Sequence, residues 1–175
     1  ACVQGELPLV KTLLAFGGAP ALLQCDRFVG ASAVHVATCF AHLECATLLH
    51  RAMLRYESQK IKAYLHPIYA PRADFSGRSA LIYALTARCD APARAKLIAG
   101  LAAVDSSLLE LCDMFGYTPL HFLAIRKEPS HDGPLIAALI DARADVDARV
   151  ADRQRGRDAI SRVMDRWSVT VKRVG

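Results

Sequence analysis

The sequence lacks a run of 18 or more uncharged apolar residues, the length that a membrane-spanning helix requires. Its first six residues, Ala1-Cys2-Val3-Gln4-Gly5-Glu6, lack the basic start and apolar run of a secretory signal peptide. It also has no Gly-rich phosphate loop, no nucleophile elbow and no pair of carboxylates in a catalytic pattern. We therefore expect neither a membrane protein nor an enzyme.

Cysteine is too sparse for a disulfide scaffold. The chain has six cysteines among 175 residues, and 53% of its residues are hydrophobic. Disulfide scaffolds are usually shorter, denser in cysteine and poorer in core residues. Free thiols that fill small apolar spaces in the core fit this composition better. A reducing compartment follows, so we expect the protein in the cytoplasm, the nucleus or both.

Positive charge is confined to one end of the chain. The net charge is +5, and residues 149–175 contain eight basic and three acidic residues, so this segment accounts for all of it. Three of the arginines are crowded together, namely Arg153, Arg155 and Arg157. They form either a solvated surface or a patch that steers an acidic protein partner. Nucleic acid is the least favoured partner, because no stacking aromatic residues are interleaved with the charge.

Internal repetition is the strongest signal in the sequence. One segment contains Thr118-Pro119-Leu120-His121 and is followed by Ala144-Asp145-Val146-Asp147-Ala148. Similar openings begin at Gly30, at Gly77 (with Ile82 in the histidine position) and at Gly156, and residues 5–14 match the second half of a repeat. This pattern resembles the ankyrin repeat, whose period is about 33 residues. Arg143 stands where that family usually has glycine.

The resemblance implies an all-α fold, an ankyrin-repeat solenoid of stacked helix-turn-helix repeats with hairpin-like fingers between them. Residue types agree with it, because Thr118 can cap a helix and Pro119 suits the first helical position. Each helix pair leaves an apolar face open, which only stacking buries. We predict helices that start near Ser32, Ser79, Thr118 and Asp158. An apolar stripe at helical spacing predicts a further helix at Leu135, Ile136, Leu139 and Ile140.

The repeats divide a single domain, residues 1–175, into five parts. These are a partial repeat (1–25), a repeat with a long loop (26–73), two repeats (74–112 and 113–149) and a terminal capping repeat (150–175). The repeat glycines are 47, 39 and 40 residues apart, which exceeds the usual period. We place the excess in a loop from His50 to Asp74, in a polar turn from Arg126 to Pro134 and in a turn at Cys89-Asp90-Ala91-Pro92.

The irregular spacing is similar to that of NF-κB-inhibitor-type and viral ankyrin proteins, more than to that of idealised arrays. Residue 1 falls inside a repeat, in the position after the missing Thr-Pro-Leu-His. An uncapped solenoid end exposes core residues. We therefore expect the chain to be a piece of a longer protein.

One cluster has the spacing of metal ligands, namely Cys39, His42, Cys45 and His50. His35 and His42, however, occupy positions where ankyrin repeats themselves carry histidine, and the resemblance implies that both bond neighbouring fingers and loops. Cys45 falls on the apolar face of a helix. We expect no metal ion and no cofactor.

The resemblance also implies where a partner binds, because ankyrin proteins line a concave surface with their finger tips and with one face of each first helix. The predicted tips carry Phe28, Phe75, Met114 and Phe115, and the first helices present Val36, Phe40, Tyr83, Phe122 and Ile125. Exposed aromatic residues are typical anchors of protein interfaces. The alternative is that the tip phenylalanines pack against adjacent fingers.

Two classes of function follow, and both bind another protein or an extended peptide. The first is an adaptor or inhibitor that grips its partner on the concave face and finger tips. The second is a substrate-targeting or regulatory domain of a larger enzyme or channel. A nucleic-acid-associated factor is a less favoured third class. In each case we expect a monomer that does not associate with membranes, and the partner-binding set includes Arg153, Arg155 and Arg157.

Association kinetics separate the interpretations of these three arginines. If they steer an acidic partner, replacing all three with glutamine slows association and flattens its salt dependence, with a smaller effect on dissociation. If they form a solvated surface, the variant associates at the same rate at two salt concentrations. We expect the unmodified chain not to hold nonspecific duplex DNA. Binding to DNA that weakens steeply as salt rises would contradict that expectation.

Overall fold

The computed structural model describes residues 1–16, 24–60, 72–125 and 132–150. Across these ranges the secondary structure is helical apart from two isolated β-bridges, so the described part of the chain is all-α, as the sequence predicts. A 3₁₀ turn, Ser106–Leu109, follows the fifth helix. The α-helices are α1 (Leu7–Ala15), α2 (Ala33–Cys39), α3 (Leu43–Lys60), α4 (Ala80–Leu85), α5 (Ala91–Val104), α6 (Pro119–Ala124) and α7 (Gly133–Asp141).

The helices form consecutive pairs that stack in chain order. Helix α2 packs on α3, α4 on α5, and α6 on α7. The first members of the pairs also contact one another, α2 with α4 and α4 with α6, while α3 contacts α1 and α5, and α5 contacts α7. The result is two layers, one of the short helices α2, α4 and α6, and one of α1, α3, α5 and α7.

Small side chains allow these layers to approach closely. Ala37, Ala46 and Ala84 are fully buried where the paired helices meet. Leucine and isoleucine from the longer helices fill the space between successive pairs, and Leu97 and Ile98 are also fully buried. Apolar surface removed from water stabilises such an interior by roughly 25 cal/mol per Å².

The short helices begin where the sequence predicts. Ser32, Ser79 and Thr118 have extended backbones and directly precede α2, α4 and α6. The Thr118 hydroxyl accepts a hydrogen bond from the amide of His121 at 3.4 Å, and Pro119 takes the first helical position, where no donor is needed. The predicted start near Asp158 lies outside the described residues.

The predicted loop from His50 to Asp74 is wrong in its first part, because α3 continues to Lys60. His50 lies inside this helix and is buried. Ala46, Leu49 and Met53 recur at helical spacing and are buried, and neither glycine nor proline interrupts the segment before Pro67. Residues 61–71 lie outside the described ranges, as do residues 126–131 of the predicted polar turn.

The predicted turn at residues 89–92 is present, and so is the predicted apolar helix α7, although only half of its predicted stripe is buried. Asp90 ends the turn and caps α5, accepting a hydrogen bond from the amide of Ala93 at 3.0 Å. Leu135 and Leu139 of α7 are fully buried. Ile136 and Ile140 are not part of the core, because 37% and 48% of their surface is exposed. The buried stripe of α7 is therefore narrower than the sequence pattern suggests.

Three hairpin-like turns, which we call fingers, lead into the short helices: residues 26–31, 74–78 and 113–117. The first residue of each finger is an aspartate whose amide donates to the carbonyl of the last residue at 3.0 Å. Its carboxylate accepts amides from within the same finger: Phe28, Val29 and Ala31 for Asp26, Ser76 and Arg78 for Asp74, and Phe115 and Tyr117 for Asp113. The aspartate therefore fixes the shape of each turn.

Neighbouring fingers are joined by backbone hydrogen bonds. The amide of Phe75 donates to Val29 at 2.9 Å, and the amide of Met114 donates to Ser76 at 2.8 Å. The glycine near the end of each finger has a positive φ, which is +75° at Gly77. A Cβ at Gly77 would lie 2.8 Å from the backbone nitrogen of Met114. Glycine is therefore required at residue 77, because the positive φ strains other residues and because there is no room for a Cβ.

One helix end departs from this preference for glycine. Arg143 follows α7 with a φ of +72°, and the next amide, that of Ala144, bonds back to Leu139 at 2.9 Å. This is a common helix ending in which glycine is usual, because its missing side chain removes the steric cost. Arg143 thus has the left-handed backbone conformation that glycine adopts most easily.

Replacing Gly77 with alanine tests the joint between fingers. We expect the free energy of unfolding to fall by about 2 kcal/mol or more, because the alanine is strained at positive φ and contacts the next finger's backbone. Gly133→Ala is the matched control: no atom lies within 4 Å of its added Cβ, and it stands at the start of α7. Urea unfolding measures both. Equal stability for the two variants would contradict this account.

Candidate functional site

The face of interest, the short-helix face, comprises the accessible side chains of the fingers and of α2, α4 and α6. The structure places the four predicted tip residues on the fingers. Phe28 is 91% exposed, Phe115 is 55% exposed and Phe75 is 50% exposed, while Met114 is half-buried. Large contiguous apolar patches on a protein surface often belong to interaction sites, which makes these exposed rings candidates for one.

The alternative prediction, that the tip phenylalanines pack on adjacent fingers, holds for part of the set. The ring of Phe75 covers Gly30 of the preceding finger, where a Cβ would lie 2.5 Å from the ring. Phe115 is 6.3 Å from Tyr117, ring centre to ring centre, within its own finger. Phe28 keeps nearly all of its surface in solvent. Phe75 thus joins two fingers and still exposes half of its surface.

The short helices contribute side chains that are mostly half-buried. Val36, Phe40, Tyr83 and Phe122 are in this class, whereas Ile125 is 56% exposed. The guanidinium of Arg88 lies 5.1 Å from the ring centre of Phe40, in the geometry of a cation–π contact. Phe122 packs partly against the core. The structure therefore brings all the described members of the predicted set to one face, but they expose less surface than the family's usual pattern implies.

Tyr83 has a structural role that the sequence does not reveal. Its hydroxyl donates a hydrogen bond to the carboxylate of Asp74 at 3.0 Å, and its ring meets the ring of His35 edge-on at 4.9 Å. Burial and the neighbouring charge of Asp74 raise the pKa of Tyr83, so the phenol remains a donor at neutral pH. The side chain thereby joins α4 to its own finger and to α2.

We number as units one to three each finger with the helix pair after it, namely α2–α3, α4–α5 and α6–α7. His35 joins the first unit to the second, as the resemblance implies. Its Nδ1 lies 2.8 Å from the hydroxyl of Ser32 and 3.1 Å from the Ser32 amide, and its Nε2 lies 3.1 Å from the carbonyl of Arg78 in the next finger. The ring is fully buried. Burial lowers the pKa of His35 to about 4, although the charge of Asp74 opposes that shift.

The equivalent positions of the next two units show what His35 supplies. In the third unit His121 repeats the local contact, with Nδ1 2.8 Å from the Thr118 hydroxyl. In the second unit Ile82 takes the histidine position and is buried. The buried hydroxyl of Ser79 then has no hydrogen-bond partner in the described part of the chain. Ile82 therefore packs in the apolar core but cannot make the hydrogen bond to the preceding hydroxyl that His35 and His121 make.

The residues with metal-ligand spacing are engaged in other contacts. His42 Nε2 lies 2.9 Å from the carbonyl of Val3, so this ring bonds a neighbouring loop, as the resemblance implies. Cys45 is buried in the core, and burial raises the pKa of its thiol. All six cysteines are free. Within the described ranges, no group of three or more histidine, cysteine or acidic side chains could hold a metal ion.

A polar cluster that the sequence does not predict lies at the long-helix layer. Nε2 of His50 is 3.1 Å from the carboxylate of Asp105, and Arg72 is 3.6 Å from the same oxygen. The hydroxyl of Ser107 donates to the other carboxylate oxygen at 2.6 Å. Burial would raise the pKa of Asp105, but the hydrogen bonds from Ser107 and His50 and the charge of Arg72 lower it overall. The serine donates to the aspartate rather than to the histidine, so this is not a hydrolase triad.

A small cavity opens on the short-helix face between α4 and α6. Its volume is about 130 Å³, and it is lined by Arg78, Ile82, Tyr83, Thr86 and Phe122. Sequence reasoning found Tyr83 and Phe122 but missed Arg78 and Thr86 as site residues. The available signal was the position of Arg78 directly after the repeat glycine, where the other fingers have Ala31 and Tyr117.

Arg153, Arg155 and Arg157 lie outside the described residues. No helix of the described segments has both the length and the apolar character needed to span a bilayer. In comparisons with known proteins, no protein-family model matches the chain and no curated protein is similar to it.

The buried histidine predicts a pH dependence of stability. Because the pKa of His35 is about 4 in the folded chain and about 6.5 when exposed, only the unfolded chain takes up this proton between those values. Stability from the neutral ring is therefore complete above pH 6.5 and is lost as the pH falls toward 4. Between pH 7 and pH 5 we expect His35 to account for about 2 kcal/mol of lost unfolding free energy.

Urea unfolding of the natural chain and of His35→Gln at both pH values measures this contribution. Glutamine removes the titration, so the variant should lose about 2 kcal/mol less than the natural chain over the same interval. An identical loss in both proteins would show that His35 is not the responsible group.

Proposed function

We propose that the chain is an ankyrin-repeat domain, a solenoid of helix-turn-helix repeats whose short-helix face is its concave binding surface. Support comes from the order of the elements, in which each finger leads into a short helix that pairs with the helix after it. Further support comes from the repeat residues, because Ser32 with His35 and Thr118 with His121 make the same local contact. The predicted capping repeat, residues 150–175, lies outside the described residues from residue 151 onward.

We further propose that this domain binds a partner protein or an extended peptide without catalysing a reaction, as an adaptor or inhibitor. The observation that carries the proposal is the row of exposed phenylalanines at the finger tips, Phe28, Phe75 and Phe115. Their backbones are held by aspartate–amide bonds within the fingers and by bonds between fingers. Side chains on an ordered backbone lose less conformational entropy on binding, which favours affinity.

A cytoplasmic or nuclear location is part of the same proposal. Free cysteines support it, because persistent thiols are typical of reducing compartments. Burial raises the pKa of Cys25, Cys89 and Cys112, which keeps these thiols protonated and slow to react.

A matched pair of phenylalanines tests the proposed binding surface. Phe28 is 91% exposed on a finger, and Phe16 is 88% exposed at the end of α1, in the other helix layer. We expect Phe28→Ala to weaken partner binding about tenfold or more, since aromatic hot spots contribute on the order of 2 kcal/mol each. Phe16→Ala should bind normally. Both variants should keep the natural unfolding midpoint, because neither ring is buried.

The measurement is the retention, by the immobilised chain and each variant, of proteins from an extract of its native cells, quantified by mass spectrometry. A partner lost with Phe28→Ala but kept with Phe16→Ala supports the proposal. A partner that both variants keep, or that only Phe16→Ala loses, would move binding to another surface. Tyr83→Ala is unsuitable here, because it also removes the hydrogen bond to Asp74.

A further inference from the structure

The cavity between α4 and α6 has the dimensions of a subsite for one side chain. Its volume of about 130 Å³ is well below the several hundred Å³ typical of small-molecule pockets. Ile82, Tyr83 and Phe122 contribute its apolar lining, and the polar part of the lining, which includes Arg78 and Thr86, is about equally large. An apolar side chain of a bound segment would therefore lie beside a guanidinium.

Arg78 is held in place by its own backbone. Its amide donates to the carboxylate of Asp74 at 2.9 Å, and its carbonyl accepts from the Asp74 amide at 3.0 Å. The same carbonyl lies 3.1 Å from Nε2 of His35. The side chain is exposed and makes no ion pair within the described ranges. Because its backbone is fixed and its guanidinium is accessible, Arg78 is suited to bind a carboxylate through two parallel hydrogen bonds.

The accessible charged side chains of this face carry a small net positive charge. Asp74 and Asp113 are only 8% exposed, and their carboxylates are turned into the fingers to accept amides. Arg78 and Arg88 are exposed, and Arg88 lies above the ring of Phe40. The third finger aspartate, Asp26, is exposed beside the exposed Arg27, so the accessible charges of the fingers are two arginines and one aspartate. Complementary charge on a partner favours association with such a surface.

We infer that the short-helix face binds an extended acidic segment of a partner protein, placing one apolar side chain in the α4–α6 cavity and a neighbouring carboxylate on Arg78. This inference rests on the proposed protein-binding function and adds the chemistry of the partner. A second copy of the chain is a poorer match, because its residues 1–148 carry no net charge and the +5 of residues 149–175 has the same sign as Arg78.

The test is a selection of ten-residue random peptides on the complete chain, repeated on Arg78→Gln and Thr86→Trp. Peptides selected by the natural chain should be enriched in aspartate or glutamate at a fixed spacing from a large apolar residue. Selection on Arg78→Gln should lose the acidic preference and keep the apolar one. The Thr86→Trp indole should fill the cavity and remove the apolar preference, and exposed Thr86 can be changed without disturbing the core.

Affinities of one selected peptide then isolate the charge pair. Arg78→Gln should weaken binding of the acidic peptide about fivefold, the upper range for an exposed ion pair. It should leave the amide version of that peptide, with glutamine or asparagine in place of the acid, unchanged. Lys96→Gln is the control, because it removes the same charge from an exposed position on α5. It should affect neither peptide.

The possible results separate the inference of an acidic, extended partner segment from the more general proposal that the chain binds a protein. Peptides that bind through Phe28 but show no paired acidic and apolar preference overturn the inference and leave the protein-binding proposal standing. Equal effects of Arg78→Gln and Lys96→Gln likewise overturn it, since they indicate only general attraction. If the natural chain selects no peptide, both fail. Weak binding that accompanies dimers in gel filtration would assign the face to a second copy and also overturn it.

Discussion

The aspartate carboxylate at the start of each finger is the interaction on which the rest of the structure depends. Asp26, Asp74 and Asp113 each accept amides from their own turn, and the last two do so while nearly buried. At the nearly buried Asp74 and Asp113, hydrogen bonds to the charged acceptor contribute about 1.5–3 kcal/mol, more than those between neutral groups. These bonds fix the turns closely enough for Phe75 and Met114 to bond the preceding finger.

The same carboxylates connect the fingers to the helices. Asp74 accepts the hydroxyl of Tyr83, whose ring touches His35, and His35 returns to the carbonyl of Arg78 in the finger of Asp74. This closed set of contacts spans α2, α4 and one finger. These contacts order the backbone that carries the exposed side chains of the short-helix face. Because His35 is one of the contacts, protonation of its buried ring would weaken that order.

The sequence predicts the parts of this fold that depend on local chemistry. Ser32, Ser79 and Thr118 mark the helix starts because a short polar side chain with an extended backbone suits that position. The roles of His35 and His42 also follow, since both occupy positions that the repeat pattern already explains. The length of α3 was missed because the family's period suggested a loop where a regular helix continues to Lys60.

Contacts between distant residues could not be predicted from the pattern. The bond of Tyr83 to Asp74 depends on how a finger folds against the helix that follows it. The pairing of His50 with Asp105 and the cavity beside Arg78 depend on how one helix pair lies on the next. The exposure of Ile136 and Ile140 also could not be predicted, because helical spacing specifies an apolar stripe but not its width. The repeat pattern thus predicts which residues lie on the short-helix face, but it does not predict the contacts that those residues make.

Amide NMR of the labelled chain, titrated with a peptide selected on it, tests the central claim most directly. Gly30, Gly77 and Gly116 provide one amide in each finger, and Gly100 of α5 provides a reference in the other layer. Binding on the short-helix face predicts shifts at the finger glycines and along α4 and α6, with Gly100 unchanged. Shifts confined to Gly100 and to α3, α5 and α7 would contradict the account.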